Sequence, residues 1–588
     1  MTIRPIIDAT FAKTQFEKIP LEPRFLRNDQ SSLYIEPSVL TKLAEEAFVR
    51  ISYYLRPSHL KLWSEQLNSN TLTANDRLVL ETLLKNALIS AEGKLPLCQD
   101  TGTATIIGWK EESVRTGAED GEALSNGVLQ AYTGHPLRAS QVGFRSLFDE
   151  FDTGNNLPAQ IHIEAVRDNS EGPEYRFLFI AKGGGSANKT ALFQMTKALL
   201  EPETFKAFLK EKIAALGTAA CPPYRLAVVV GGTSPEENLS ILKLATTELL
   251  DTAPRMESAF KNNGSHWLYR DTEWESILMN ITRESGLGAQ FGGSLLALDA
   301  RLIRLPRHAG SCPVSIGVSC SAHRNMLAKI NSQGLWLEKL EYHPLEFLKQ
   351  EGGASAKLAE AFQYKKELKT KGQGSSINIA LASENLQISA HPVASISIRH
   401  INLDQGIKPA LEALRGTRAG DRLLLSGYLL VARDAAHLKW HEALLRGETL
   451  PEYLTKHPIY YAGPAATPRG KVIGSFGPTT AQRMDSYAEE LMSRGASLIT
   501  LAKGNRTKAW AEACKTYGGF YLGTIGGAAA LIAEENILES EILDYPELGM
   551  EAVRRIRVQD LLAFVIIDDQ GRDLYNPIGM PTGQASDR

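Results

Sequence analysis

The sequence has no apolar run of the roughly 18–20 residues that a membrane-spanning helix needs. Its longest apolar stretch, residues 423–432, is interrupted by Ser426 and Gly427. The first residues lack the basic and then apolar pattern of a secretory signal, and Asp8 and Glu17 argue against a transit peptide. We therefore expect a cytoplasmic protein.

An excess of positive charge is also missing. The 588 residues carry 64 basic and 67 acidic side chains, a net charge of -3, so a nucleic-acid partner is not expected. Hydrophobic residues make up 43% and charged residues 22%, which is typical of a soluble globular protein. Any basic binding site must be local.

Cysteines are few, and no CxxC spacing occurs among them. An odd number in a long chain argues against a disulfide framework and favours a reducing compartment. The spacing also excludes zinc ribbons and common ferredoxin motifs. Four of the five lie beside proline, glycine or small residues, which predicts loops, although for any one of them alone a place in the core is the better interpretation. They are Cys98, Cys221, Cys312 and Cys320, with Cys514 as the fifth.

Hydrophobic periodicity predicts an α/β fold. Residues 36–95 show a helical apolar face, and 175–181 and 225–230 are typical of buried strands. Ser234, Pro235 and Glu237 form a capping box that predicts a helix directly after the second strand. Strand, glycine turn and helix in succession indicate α/β architecture.

The last 200 residues predict a second α/β region. A Lys-, Glu-, Ala- and Gly-rich segment, 345–380, precedes it and is interpreted as a connector with some helix. Strands are predicted at 422–432, 497–501 and 562–568, and helices at 434–446, 480–494 and 505–516.

Seven segments resemble class I fumarases, and they occur in the family's order between about residues 40 and 570. They are CQDTGT (98–103), KGGGSANK (182–189), RLPRH (304–308), VSCS (318–321), HPIYYAGP (457–464), GPTTAQRMD (477–485) and AKGN (502–505). One departure is His323, where an acidic residue is more usual in the family.

The resemblance implies a [4Fe–4S] cluster held by Cys98, Cys221 and Cys320. Cys312 lies only eight residues from Cys320, so spacing alone does not exclude it. With three thiolates for four irons, one iron keeps an open position and can act as a Lewis acid. The same exposure makes an enzyme of this kind sensitive to oxygen.

The resemblance also implies a dicarboxylate substrate, fumarate or L-malate, for which cations are needed. The family's substrate-contacting positions fall on Gln99, Asp100, Arg138, Gly185, His308, Arg433, Thr479, Arg483 and Lys503. Structural alternatives stay open: a surface role for Arg138, a local ion pair for Arg433, a structural His308, a helix cap at Thr479 or Thr480, and a plain turn at 183–185.

In the mechanism that the family implies, Asp100 protonates the departing hydroxyl and Thr479 is the base at C3. Arg433 is expected to lower the cost of the alkoxide-like form of Thr479. His308, Arg138, Arg483 and Lys503 are expected to hold carboxylates.

The predicted architecture is a two-lobed α/β protein. An N-terminal extension (1–40) precedes a mixed α/β cluster-binding lobe (41–344), the connector (345–380) and an α/β substrate-binding lobe (381–588) that closes over the site. The family resemblance implies a homodimer.

Three other functions compete with the hydration of fumarate. L-tartrate dehydratases and related 2-hydroxy-diacid hydro-lyases share the cluster segments, but they often divide the two halves between subunits. An iron-responsive regulator that binds nucleic acid needs a basic surface, which the balanced charge argues against. A closed-cluster electron carrier needs a fourth cysteine ligand.

Overall fold

The computed structural model describes residues 3–20, 26–29, 32–168, 172–256, 267–370 and 398–576. Within these ranges, no helix has the length and hydropathy needed to cross a membrane. The fold mixes helices with three large sheets, which confirms the α/β class.

The first sheet is mixed and has six strands. In spatial order they are Phe16–Ile19, Gly334–Glu338, Asn325–Asn331, Glu174–Lys182, Thr103–Glu111 and Gln160–Val166. Only the last pair is parallel. The strand predicted at 175–181 is the fourth of these and is slightly longer than predicted.

The second sheet has five strands and carries two of the loop cysteines at one end. Its order is Ala191–Met195, Cys312–Ser319, Tyr224–Gly232, Ala297–Arg307 and Tyr269–Arg270. The strand predicted at 225–230 is central and fully buried. Its successor is the helix Pro235–Ala245, where the Ser234 side chain accepts from Glu237 N as predicted. Glu237 itself accepts from Thr233 N, one residue earlier than the capping box requires.

The third sheet lies in the C-terminal region. Its seven strands are ordered Arg399–Asn402, Arg422–Val431, Ile459–Tyr460, Ile499–Ala502, Phe520–Gly523, Val553–Ile567 and Ile537–Asp544. Because Val553–Ile567 also pairs with Arg422–Val431, five of the strands close into a ring. The strand predicted at 562–568 therefore starts nine residues earlier, at Val553.

Three small sheets and the helices complete the described chain. The small sheets join Leu26–Asp29, Ser32–Ile35 and Val114–Thr116; Ala462–Pro464 and Phe476–Pro478; and Val142–Phe144 and Glu150–Asp152. The α-helices are Arg4–Lys13, Pro37–Tyr53, Pro57–Asn68, Ala74–Ser90, Asp120–Gly134, Gly184–Ala187, Pro202–Leu216, Pro235–Ala245, Thr272–Glu284, Pro344–Glu351, Gly353–Thr370, Ile407–Leu414, Asp434–Leu445, Ala488–Met492, Lys508–Tyr517 and Ala529–Leu531. The 3₁₀ segments are Lys197–Leu199, Glu452–Thr455, Ala481–Tyr487 and Pro546–Glu551, and Ile532–Asn536 is a π-turn.

The connector falls partly on described residues. Pro344–Glu351 and Gly353–Thr370 are helical, in agreement with the predicted helix content. The remainder of the 345–380 segment, from residue 371, lies outside the described residues. The helix predicted at 480–494 is a 3₁₀ segment followed by the short helix Ala488–Met492.

Among the described residues, the largest hydrophobic core joins the helices before Cys98 to the C-terminal region. It packs the face of Ala74–Ser90 that carries Leu83 and Leu84 against the ring of the third sheet. Phe291 stacks on Phe564 with ring centroids 4.0 Å apart. Burial of such surface supplies most of the driving force for association of these regions. The loop that begins after Ala74–Ser90 is thereby held against the C-terminal sheet.

Candidate active site

Three cysteines meet at the ends of separate elements. Cys98 lies in the loop between Ala74–Ser90 and Thr103–Glu111, whereas Cys221 and Cys320 lie at one end of the second sheet. There Arg225 is paired with Ser319 in antiparallel register, which brings the residues before one strand next to those after the other. The Ser321 amide donates to the Cys221 carbonyl at 3.0 Å and closes this pair of turns.

The three thiols act on one another electrostatically. Burial raises the pKa of Cys221 to about 11, with Lys503 opposing the shift and Cys98 and Cys320 adding to it. Burial likewise raises the pKa of Cys98, and Cys320 adds to that shift. Lys503 Nζ donates to Cys221 Sγ at 2.8 Å. The site therefore places cations beside groups that are costly to ionise when buried.

Cys312 lies at the other end of its strand. It is fully buried in the apolar core of the second sheet and pairs with Met195, so the prediction of a loop at this cysteine is wrong. A strand rises about 3.3 Å per residue, which separates it from Cys320 by about 25 Å. Strand geometry thus removes the alternative that spacing left open. Cys514 is buried within the helix Lys508–Tyr517.

Three cysteine thiols are a donor set of the kind that holds an iron–sulfur cluster. Among the described residues, no three His, Cys, Asp or Glu side chains converge as ligands of one metal ion would. In such a cluster each thiolate binds its own iron. Residue 526 must be glycine for the Cys221 thiol to fit, because a Cβ at this position would lie only 2.5 Å from Cys221 Sγ.

Asp100 is held beside Cys98 by backbone amides and a cation. Its carboxylate accepts from Gly184 N at 2.9 Å and from Gly102 N at 3.2 Å. Arg138 Nη2 lies 3.4 Å from Asp100 Oδ1. Burial raises the pKa of Asp100, but Arg138 and Arg324 outweigh it and the net pKa is lowered. The glycine segment thus has an exposed amide that binds an anion, in this case a side chain of the protein.

Thr479 and Arg483, from the C-terminal region, also lie at the site that contains Cys98 and Asp100. Arg483 Nη1 donates to Thr479 Oγ1 at 3.3 Å, so the two share a face although the segment is 3₁₀ rather than α. Thr480 precedes that segment, but its side chain makes no capping bond. Lys503 N donates to the Thr479 carbonyl at 3.1 Å, and Gln99 Nε2 donates to the Pro478 carbonyl at 3.1 Å.

Arg433 is buried between an acid and other arginines. Its Nη2 donates to Glu551 Oε1 at 2.8 Å, and Glu551 Oε2 accepts from Ala435 N at 3.0 Å. Burial lowers the pKa of Arg433 to about 10; Glu551 opposes the shift, and Arg138 and Arg483 contribute to it. The ion pair proposed as its alternative role therefore exists, but with Glu551 rather than Asp434, which pairs with Arg483.

Two of the predicted substrate-contacting residues, Gly185 and His308, lie in different parts of the structure. Gly185 lies beside the site, because a Cβ built on it would be 3.9 Å from Lys503 Nζ. His308 lies exposed in the turn after Ala297–Arg307, where its Nδ1 accepts from Gly310 N at 3.1 Å. In the described part of the chain, the hydrogen bonds of His308 are local to this turn.

Three residues of the site carry no sequence signal that identifies them. Arg324 is buried, and its Nε and Nη1 lack hydrogen-bond partners among the described residues. Gln290 donates to the Pro222 and Gly526 carbonyls and accepts from Gly526 N, which fixes the two backbones that flank Cys221. Glu551 is the third, and it lies in a 3₁₀ segment outside every family-like motif.

His323 has a structural environment of its own. It is buried with φ +42°, its Nδ1 is 3.0 Å from Ser319 Oγ, and its ring centroid is 5.0 Å from that of His59. Burial lowers the pKa of His323 well below its usual value. An acidic group lies nearby all the same, since Glu248 Oε1 is 3.7 Å from His323 Nε2.

Known proteins with similar sequences cover nearly the whole chain. The family model for fumarate hydratase (Fumerase) matches residues 41–329, and that for the fumarase C-terminus matches 372–578. Fumarate hydratase 2 of Leishmania major is 44% identical over 96% of this chain and 92% of its own. The anaerobic class I fumarate hydratase of Escherichia coli (strain K12) is 46% identical over 93% of this chain and 92% of its own.

A shorter similarity concerns a different activity. The putative L(+)-tartrate dehydratase subunit beta of Methanocaldococcus jannaschii is 34% identical over 27% of this chain and 85% of its own length.

Proposed function

The chain belongs to the class I fumarate hydratase family and is a hydro-lyase that interconverts fumarate and malate, and we propose that it does so with an iron–sulfur cluster bound by Cys98, Cys221 and Cys320. The observation that carries the proposal is the meeting of these three thiols beside Asp100, Thr479 and four cationic side chains. The cations are Arg138, Arg433, Arg483 and Lys503.

The proposed group is a [4Fe–4S] cluster, the type that three cysteines in this family imply. When bound, it supplies a Lewis-acidic iron with an open position for the C2 hydroxyl and its carboxylate. The protein contributes the three thiolates, and Lys503 offsets part of their charge through Cys221.

Binding of the dianion is the work of the arginines and the lysine. Burial lowers the pKa of Arg433, and the charges of Arg138 and Arg483 lower it further, so a bound dicarboxylate offsets the repulsion on Arg433. Gln99 and Gly185 complete the predicted contacts. His308 stays a prediction as a carboxylate ligand, although its turn lies at the Cys312 end of the second sheet, away from Cys221 and Cys320.

Two proton transfers complete the reaction in the malate-to-fumarate direction. Thr479 Oγ1, deprotonated, takes the C3 proton, and the electron pair of that C–H bond forms the double bond. Asp100 is the predicted proton donor to the C2 hydroxyl, which leaves as water; because the neighbouring cations hold the pKa of Asp100 low, this step requires the charge of the bound dianion to raise that pKa first. The hydrogen bond from Arg483 Nη1 stabilises the deprotonated Thr479, and the positive charge of the buried Arg433 adds to this stabilisation. The sequence assigned that role to Arg433 alone.

The proposal extends to the domain organisation, the compartment and the oligomeric state of the protein. We infer two lobes, 41–344 and 381–588, with an N-terminal extension (1–40), the connector 345–380 and the site between the lobes. All five cysteines are free thiols, which favours a reducing compartment and hence the cytoplasm. A homodimer is inferred, and sedimentation of the purified protein tests it.

The tartrate dehydratase similarity supports a second substrate as the alternative. Tartrate differs from malate by one hydroxyl at C3, the carbon that Thr479 faces in the proposed reaction. We expect fumarate chemistry to prevail, because relatives matched over nearly the whole chain are fumarate hydratases.

Anaerobic reconstitution with iron and sulfide tests the proposal. L-malate and L-tartrate are supplied in parallel, fumarate is followed by its ultraviolet absorbance, and samples are then exposed to air. We expect malate turnover that disappears in air together with the cluster's visible absorbance. Turnover that survives full loss of iron would contradict the cluster proposal, and turnover of tartrate alone would contradict the choice of substrate.

A further inference from the structure

Arg324 is a buried cation for which the proposed mechanism has no role. Its side chain is 5% exposed, and two of its three guanidinium nitrogens, Nε and Nη1, have no hydrogen-bond partner among the described residues. Buried donors are usually satisfied, and an unsatisfied charged donor costs the full desolvation of the group. Such a side chain indicates a partner that the protein atoms do not provide.

The backbone fixes where the Arg324 side chain lies. Cys320 and Arg324 flank a turn in which His323 N donates to the Cys320 carbonyl, and the Arg324 carbonyl accepts from Ala181 N at 3.0 Å. The side chain reaches Gly183, where a Cβ would lie 3.5 Å from Nη2 and 2.9 Å from Asp100 Oδ2. Arg324 also lines a small cavity with Cys320 and Gly183.

The charges around Arg324 come from the cluster site. Its pKa is lowered by burial but raised on balance, first by Cys98, then by Cys320 and Asp100. No ion pair within 4.0 Å joins Arg324 to an acidic side chain in the described ranges, whereas the buried Arg56 pairs with Glu338 at 2.6 Å. The guanidinium is therefore free to act on the sulfur atoms.

We propose that Arg324 is a cofactor-binding cation, whose Nε and Nη1 donate hydrogen bonds to sulfur at the Cys98–Cys320 side of the cluster and whose charge offsets that of the thiolates. The inference rests on the proposed function, since it needs the cluster. Hydrogen bonds to sulfur and nearby positive charge raise the reduction potential of iron–sulfur clusters. Arg324 should thus protect the cluster against oxidative loss of iron.

The test compares Arg324→Met with the parent protein, both reconstituted anaerobically. We expect the cluster of Arg324→Met to have a lower reduction potential than that of the parent. After addition of oxidant, Arg324→Met should lose iron to a chelator about tenfold faster or more. Arg304→Met is the matched control, because Arg304 lies beside Cys312 at the far end of the sheet. Its potential and rate of iron loss should equal those of the parent.

Four outcomes bear on the proposal or on the function on which it rests. A potential and an iron-loss rate unchanged in folded Arg324→Met would overturn it, and so would a higher KM for malate as the sole change, which would make Arg324 a substrate ligand. If Arg324→Met does not fold, Arg324→Lys keeps the charge but loses donors, and we expect a smaller change of the same sign. Absence of a cluster in the parent would instead refute the proposed function itself.

Discussion

A threonine hydroxyl is a weak base unless a cation stabilises its deprotonated form. In this protein the cation in contact with Thr479 Oγ1 is Arg483, at 3.3 Å, and Arg483 is itself oriented by Asp434 through its Nε at 2.9 Å. Thr480, the next residue, provides an internal comparison, because its side chain makes no capping bond.

Replacement of Thr479 by valine removes the proposed base with little change in size. We expect kcat for malate to fall by about 100-fold or more while KM changes little, because general base catalysis contributes on the order of 10²–10⁴-fold. Thr480→Val should keep at least about half of the activity. An equal loss in both variants would show that the segment, rather than the Thr479 hydroxyl, matters.

At this scale the sequence predicts best where short motifs are specific. The loops that carry Cys98, Asp100 and Lys503 have no periodicity that places them together, and only the family resemblance does so. Arg324 and Glu551 lie outside what motifs or periodicity can reveal, because Cys98 and Arg433, on which they act, are distant from them in sequence.

Elements position the site through their ends. The strand Cys312–Ser319 separates the buried Cys312 from Cys320, a proposed cluster ligand, and the helix Asp434–Leu445 begins directly after Arg433. In that helix His437 Nδ1 is 2.8 Å from the Arg433 carbonyl, and the His437 ring packs against Trp440 and Tyr461. The stability of this helix should therefore depend on His437 staying neutral.

We expect His437 to make a contribution to folding stability that is lost in acid. Burial lowers the pKa of His437 to about 4, below the 6.5 of the unfolded state. The folded state thus binds fewer protons, and the stabilisation present above pH 6.5 is lost as the pH falls towards 4. Protonation of His437 alone should lower the free energy of unfolding by about 2 kcal/mol between pH 7 and pH 5.

Thermal unfolding of cluster-free protein at pH 7 and pH 5 measures this effect. The fall in Tm should be smaller in His437→Phe than in the parent. His441→Phe, one turn further and 37% exposed, should retain the parental fall. The same pH dependence in His437→Phe and the parent would refute the assignment.

Element types were largely predictable, and their lengths less so. Val553–Ile567 is about twice as long as predicted because its first half mixes buried residues with Arg, Gln and Asp that are partly or fully exposed, which lowers the apolar signal. The 480–494 prediction missed the 3₁₀ geometry, which depends on tertiary packing around Ala481 and Met484.

The whole molecule is joined by a core that draws on both proposed lobes. Phe291 and Phe564 belong to different lobes in the sequence-based division, yet they stack at 4.0 Å, and Leu531 N donates to Asn86 Oδ1 at 3.0 Å. Periodicity alone could not foresee this contact, because it predicts which face is buried but not against which partner. The loop of Cys98 depends on it.

Truncation of Phe291 tests that connection. Phe291→Ala should destabilise the chain by about 3–5 kcal/mol, because the ring is 2% exposed and large-to-small core changes leave a cavity. We also expect a lower occupancy of the cluster after reconstitution. Tyr364→Ala, at a residue 63% exposed, should change neither. Unchanged stability in Phe291→Ala would contradict a shared core.

The most direct test of a three-cysteine cluster enzyme is bound iron and malate turnover measured in all five Cys→Ala variants. We predict that the variants at Cys98, Cys221 and Cys320 lose the visible absorbance and almost all turnover. Cys312→Ala and Cys514→Ala should keep both, since these side chains are buried in the core away from the site. Full activity in any of the first three, or loss of the cluster in folded Cys312→Ala, would contradict the account.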